Sequence, residues 1–172
     1  MRSRVKASLL ITTLASASAL GVWAFAAQAA SSDERVCRGT LRAITVDNLR
    51  VPQRTTCVLR GTRVEGNVKV GRRATLRATN LRVDGNVQAE GAMRVNVSSS
   101  TVGGSIQVEQ GLHALINRNA VEGDIQFFSN RATISITRNR VDGNLQCKSN
   151  RPRPRGSGNI VEGNKEDQCA RL

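Results

Sequence analysis

The phrase Val64-Glu65-Gly66-Asn67-Val68 returns along the chain as Val83-Asp84-Gly85-Asn86-Val87, Val102-Gly103-Gly104-Ser105-Ile106, Val121-Glu122-Gly123-Asp124-Ile125, Val141-Asp142-Gly143-Asn144-Leu145 and, one residue shorter, Val161-Glu162-Gly163-Asn164. Its central glycines, Gly66, Gly85, Gly104, Gly123, Gly143 and Gly163, are separated by 19, 19, 19, 20 and 20 residues. A spacing this constant marks an internal repeat, and a repeat of this length implies a chain wound in stacked turns.

Between the phrases, apolar residues alternate with polar ones, as in Leu76-Arg77-Ala78, Val95-Asn96-Val97, Ala114-Leu115-Ile116 and Ile134-Ser135-Ile136. That is the period of a strand, not of a helix. The expected fold is therefore all-β, a short single-stranded parallel β-helix (β-solenoid) of about six coils of 19–20 residues. Leucine-rich repeats share the length but need a Leu-rich signature and an Asn/Cys corner, both absent here. Aligned coils give apolar columns: Val64, Val83, Val102, Val121, Val141 and Val161, then Val68, Val87, Ile106, Ile125 and Leu145, then Leu76, Val95, Ala114 and Ile134. Burying each aliphatic side chain contributes roughly 1.5 to 3 kcal/mol, so such a core needs no aromatics. The recurrent glycine is expected to take a positive φ at a corner, where a Cβ would be strained.

The flanks divide the rest. Arg2, Arg4 and Lys6 precede an apolar run from Ala7 to Ala26, and Ala27-Gln28-Ala29 supplies a small-x-small cleavage pattern, so residues 1–29 read as a secretory signal peptide. The competing reading is an uncleaved membrane anchor. After cleavage no transmembrane span is expected, and no cysteine directly follows the site to carry a lipid. Residues 30–44 are then an N-terminal capping segment, 45–164 the β-helix repeats and 165–172 a C-terminal capping tail. Thr45 to Val51 aligns one period before Val64 to Val70 but lacks the glycine, as an atypical first coil would. Arg151-Pro152-Arg153-Pro154-Arg155-Gly156 replaces an expected strand with a Pro-broken basic segment, which predicts an interrupted ladder there.

Four cysteines in an exported chain point to disulfides, for which sequence alone allows three connectivities. The period selects one. Cys37 and Cys57 are 20 residues apart and Cys147 and Cys169 are 22 apart. Each pair is about one coil apart, where neighbouring strands sit about 4.8 Å from each other and a disulfide can form. Both pairs fall at the ends, where they would staple the terminal coils. A metal site is not expected, since the single histidine, His113, is far from either pair in the repeat.

Composition narrows function. The chain carries 26 Lys+Arg against 13 Asp+Glu, a net charge of +13; without Arg2, Arg4 and Lys6 the basic residues fall to 23 and the net charge to +10. Outside the signal the only aromatics are Phe127 and Phe128, which argues against stacking platforms for sugars or bases. His113 follows Leu112 at an outward alternating position, with no nucleophile implied beside it. Asn96-Val97-Ser98 matches a glycosylation acceptor triplet, a pattern common by chance.

Two columns bear polar groups. Glu65, Asp84, Glu122, Asp142 and Glu162 share one coil position, interrupted by Gly103. They read either as a cation rail or as turns balanced by Arg63, Arg82 and Arg140, and the second reading is favoured because Asp-Gly and Glu-Gly corners are ordinary turn chemistry. Asn67, Asn86, Ser105, Asp124, Asn144 and Asn164 form the next column, expected to be a structural hydrogen-bond ladder. The basic excess is spread over Arg72, Arg73, Arg77, Arg94, Arg118, Arg131, Arg138, Arg151, Arg153 and Arg155, which are the candidate polyanion-binding residues. Its bland counterpart is charge kept for solubility.

The Val-[Asp/Glu]-Gly-[Asn/Asp]-[Val/Ile/Leu] repeat from about Thr45 to Asn164 resembles that of bactofilins, bacterial proteins that form a compact right-handed β-helix and polymerise end to end. It is similar also to small exported β-solenoid proteins of actinobacteria. Neither resemblance supplies functional residues. An enzyme is the competing class, since larger parallel β-helices include polysaccharide lyases and hydrolases, but short uniform coils leave no loops to wall a cleft and no asymmetric catalytic cluster breaks the repeat. The expectation is an exported, cell-envelope or secreted, non-catalytic and monomeric protein. It needs no cofactor, recognises no specific nucleic acid and associates with an anionic envelope polymer or surface. End-to-end scaffold assembly is the alternative.

Overall fold

The computed structural model describes residues 33–172; the expected signal peptide, residues 1–29, lies outside them. Alternating apolar residues drive one side of every strand inward, so the chain can bury them only by winding back over itself. The result is a parallel β-solenoid of about seven turns, one more than the glycine repeat alone predicts. Each turn contributes one strand to each of three sheets, and no helix occurs among the described residues.

Sheet A stacks Glu34–Val36, Asn48–Val51, Val68–Val70, Val87–Glu90, Ile106–Glu109, Ile125–Phe128, Leu145–Lys148 and Lys165–Asp167. Sheet B stacks Gly39–Arg42, Thr56–Arg60, Thr75–Thr79, Arg94–Ser98, His113–Asn117, Ile134–Thr137 and Arg155–Ser157. Sheet C is built from two-residue strands, Thr45–Val46, Arg63–Val64, Arg82–Val83, Thr101–Val102, Ala120–Val121, Arg140–Val141 and Ile160–Val161. Pairing runs in register coil to coil, so Val68, Val87, Ile106, Ile125 and Leu145 fall into one line, and Leu76, Val95, Ala114 and Ile134 into another. Both lines are buried, as are the sheet C valines from Val64 to Val141. Phe127 is the one aromatic in the core.

The ladder extends beyond 45–164 in both directions. Glu34–Val36 pairs with Asn48 to Arg50, and Lys165–Asp167 pairs with Leu145 to Cys147. Nor does the Pro-rich segment end sheet B. Pro152 and Pro154 fall in the corner before the strand, where a missing N–H costs nothing to the ladder, and Arg155–Ser157 pairs with Ser135 to Thr137. In the first coil Val46, not Thr45, lies opposite Val64, while Leu49 lies opposite Val68. The corner between them is one residue shorter, and the missing residue is the glycine.

The repeat glycines are not there for φ. None of the six has a positive φ; the left-handed positions are mostly filled by other residues, one per coil at each of two corners, such as Arg73 (φ 56) and Arg138 (φ 54). At Gly85 a Cβ would lie 2.6 Å from the Gly66 carbonyl oxygen and 2.8 Å from Asn67 Oδ1 of the preceding coil. The glycine is required because successive coils touch backbone to backbone at this corner, and that contact is sealed by Gly85 N–H donating to Gly66 O at 3.0 Å.

Candidate functional site

Each coil runs from sheet A through a corner into sheet B, then through a second corner into sheet C, and returns by a third corner, which carries the Gly-Asn phrase. Charge divides along this path. The stretch from the A–B corner through sheet B to the B–C corner comprises residues 37–44, 52–62, 71–81, 91–100, 110–119, 129–139 and 149–159. It contains fourteen arginines and not one Asp or Glu. Every acidic residue lies on sheet A, the C–A corner or the segment leading into the first strand. The solenoid is therefore electrostatically two-sided.

All ten arginines singled out from the sequence fall on the acid-free side. Arg77, Arg94 and Arg155 project from sheet B strands; Arg72, Arg73, Arg131, Arg151 and Arg153 occupy the A–B corner; Arg118 and Arg138 occupy the B–C corner. Arg38, Arg42, Arg54 and Arg60 share that side and were not singled out. Their signal was present in the sequence: once the coils are aligned, the same half of every coil lacks carboxylates. Thirteen of the fourteen are exposed and Arg94 is half-buried. Among the described residues only Arg72 of this group forms an ion pair, at 3.3 Å to Glu90 on the edge of sheet A. Four of them, Arg54, Arg73, Arg118 and Arg138, sit at left-handed corner positions.

Sheet B offers more than charge. Arg60, Arg77 and Arg94 are 17 residues apart, two short of a coil, and the register places Arg60 opposite Thr79, Val58 opposite Arg77, and Thr75 opposite Arg94. The three thus climb diagonally, each step one strand up and two residues back, a separation of about 8 Å from strand geometry. Beside the first two lies a depression of about 320 Å³ lined by Arg60, Arg77, Thr79, Asn96, Ser98 and Leu115, with Val58 also in its lining. Thr79 and Ser98 bring their hydroxyl oxygens within 3.4 Å of each other there. His113 is half-buried beside Arg94 in the same sheet, and Asn96 and Ser98 of the acceptor triplet point outward from a single strand. A further depression, of about 330 Å³, lies at the A–B corner between Arg72, Arg73, Met93 and Leu112.

Four of the five carboxylates of the acidic column are held by arginine, Glu122 forming no ion pair among the described residues. Arg63 binds Asp84 of the next coil at 2.7 Å and its own coil's Glu65 at 3.9 Å. Arg140 likewise contacts Asp142 at 3.6 Å and Glu162. Each arginine so bridges two coils, which is the charge-balanced turn the sequence favoured; Arg82 forms no ion pair among the described residues. No group of three or more His, Cys, Asp or Glu suited to a metal ion occurs among the described residues.

The Gly-Asn column is a hydrogen-bond ladder. Asn86 N–H donates to Asn67 Oδ1 at 2.9 Å, Ser105 N–H to Asn86 Oδ1 at 2.8 Å and Asp124 N–H to Ser105 Oγ at 3.0 Å. Two more ladders, not foreseen, line the other corners: the buried Ser100, Asn119, Asn139 and Asn159 in one, and the buried Asn130 and Asn150 with the half-buried Gln168 in the other. A fourth runs outside sheet A from Gln88 through Gln107, Gln126 and Gln146 to Glu166. These amides are engaged with one another along the stack.

Cys37 stands against Cys57 and Cys147 against Cys169 at disulfide distance, with Cα separations of 5.6 and 5.2 Å. All four are buried at the two ends of the core. The fold and this two-sided surface define a disulfide-stapled parallel β-solenoid with a basic face. Comparison with protein-family models, curated proteins and solved structures finds no match to this chain.

Proposed function

We propose that the protein is an exported, non-catalytic β-solenoid that associates with anionic polymers or surfaces of the cell envelope through its basic side. One observation carries the reading: fourteen arginines and no carboxylate occupy the A–B corner, sheet B and the B–C corner. A surface kept only for solubility gains nothing from sorting its charges, whereas an adsorbing face does, because carboxylates within it would repel the ligand. The cysteine pairs are consistent with an oxidising, extracytoplasmic setting, and no helix among the described residues is long and apolar enough to cross a membrane.

The resemblance of the repeat to bactofilins favours a second reading, an end-to-end scaffold, and the outer edges of Glu34–Val36 and Lys165–Asp167, which have no strand partner among the described residues, are where such growth would start. A polysaccharide-active enzyme ranks below both. Sedimentation of the folded protein with purified cell-wall material at low and high ionic strength tests the first reading. Binding at low salt that is lost at high salt is expected, since exposed charges are screened within about 8 Å at physiological ionic strength. Binding indifferent to salt, or none at low salt, overturns it.

A further inference from the structure

We infer that the depression between Arg60 and Arg77 on sheet B is a phosphate subsite, and that the anionic polymer held by the basic face is a phosphodiester chain running up the Arg60–Arg77–Arg94 diagonal. The inference rests on the polyanion reading and narrows it to one chemistry.

Diffuse attraction needs only positive potential, yet this spot is furnished. Two guanidinium groups supply forked donors, and the Thr79 and Ser98 hydroxyls and the Asn96 carboxamide line the same depression of about 320 Å³, the two hydroxyl oxygens 3.4 Å apart and Ser98 Oγ donating to the Ala78 carbonyl at 3.4 Å. Two guanidinium forks with hydroxyl and carboxamide groups beside them suit the tetrahedral oxygens of a phosphodiester, whereas a planar carboxylate is satisfied by a single guanidinium fork. No Asp or Glu lies in sheet B to compete for the arginines. The depression is open at the surface and has Val58 and Leu115 at its sides, Leu115 39% exposed, which are apolar shoulders against which the uncharged spacer between two phosphates can lie.

The next arginine continues the track. Arg94 is one strand up and two residues back from Arg77, as Arg77 is from Arg60, so successive cationic points recur at about 8 Å on a flat parallel sheet. Arg42, directly opposite Arg60 in the preceding coil, extends it downward. A chain of phosphates joined by short polyol spacers meets such points in sequence, and its affinity is multiplied by the linkage between sites.

The test compares soluble poly(glycerol phosphate) with polyglutamate of matched charge and length, by titration calorimetry at one ionic strength. Preference for the phosphate polymer by about tenfold is expected, with Arg60→Gln/Arg77→Gln reducing its binding by a similar factor. Arg63→Gln/Arg82→Gln, which removes the same charge from sheet C, should leave that affinity within about twofold. Thr79→Val/Ser98→Ala, which leaves net charge untouched, should lower binding of the phosphate polymer by about threefold and leave polyglutamate unchanged. Equal binding of the two polymers, with equal losses in both arginine double variants, overturns the subsite while the diffuse polyanion reading stands. Failure of both polymers to bind at low salt overturns both. Binding of phosphatidylglycerol vesicles in place of the soluble polymer would assign the face to a membrane and overturn the inference.

Discussion

Asn119 donates twice to a single atom of Asn139: its backbone N–H and its Nδ2 both reach Asn139 Oδ1 at 3.0 Å. Asn139 repeats the arrangement toward Asn159, and its own Nδ2 also donates to the Ile116 carbonyl at 3.0 Å. All three side chains are buried at the B–C corner, and no buried side-chain polar atom among the described residues lacks a partner. Asn139→Ala should therefore leave two donors of Asn119 without an acceptor, at about 1 to 3 kcal/mol for each buried orphan. Denaturant unfolding should show a loss of about 2 to 5 kcal/mol, while Asn164→Ala, at the exposed end of the Gly-Asn column, stays within about 0.5 kcal/mol. Equal, small effects would mean that the buried ladder does not hold the coils together.

Two glycines separate steric from conformational need. At Gly85 φ is ordinary but a Cβ collides with the backbone of the coil below; at Gly61 φ is +65° and the space around the missing Cβ is open. Gly61→Ala should cost about 1 kcal/mol, the penalty for a left-handed alanine. Gly85→Ala must push two coils apart against their hydrogen bonds, and about 3 kcal/mol or more is expected. Thermal unfolding of the two variants checks the order, which a purely conformational role for the repeat glycine would reverse or level.

Each cysteine pair closes a loop of about 20 residues, for which chain entropy gives about 3 kcal/mol of stabilisation. Peptide mapping without reductant should recover Cys37 joined to Cys57 and Cys147 joined to Cys169; a Cys37–Cys147 peptide would contradict the fold. Hydrogen exchange after reduction should rise first in Glu34–Arg42 and in Lys165–Leu172, because each of these segments has a coil on one side only among the described residues.

The architecture was legible because two periods coincide: alternation fixed which residues face inward, and the 19–20-residue return of Val-x-Gly fixed what stacks on what. The cysteine pairing followed from the same arithmetic. The ends were not legible. Arg35 and Lys165 occupy core-column positions without being apolar, so nothing in their chemistry announces a strand, and pairing with Leu49 and Leu145 alone places them. The buried asparagines were missed because Asn119 and Asn139 follow arginine in segments that read as polar turns; a left-handed residue at Arg118 and Arg138 is what turns the next side chain inward. The basic face was half legible. The arginines were evident, but their gathering on one side depends on where each coil bends.

Arg35 and Lys165 stand at opposite ends of one column, Arg35, Leu49, Val68, Val87, Ile106, Ile125, Leu145, Lys165, whose middle members are all buried. A second copy stacked in register on either end would set its Arg35 against Lys165, two cations one strand spacing apart, about 4.8 Å. Like charges directly opposite in a sheet are destabilising, and charged edges are a common means of preventing growth. The native protein is therefore expected to remain monomeric at moderate salt by light scattering, although each end strand has a strand partner on one side only among the described residues. Arg35→Leu/Lys165→Leu removes the repulsion and continues the apolar column to both ends, so this variant should associate with increasing concentration and form rods visible by electron microscopy. Rods formed equally by the native protein would show that the terminal cations do not cap the solenoid and would move the end-to-end scaffold ahead of surface association.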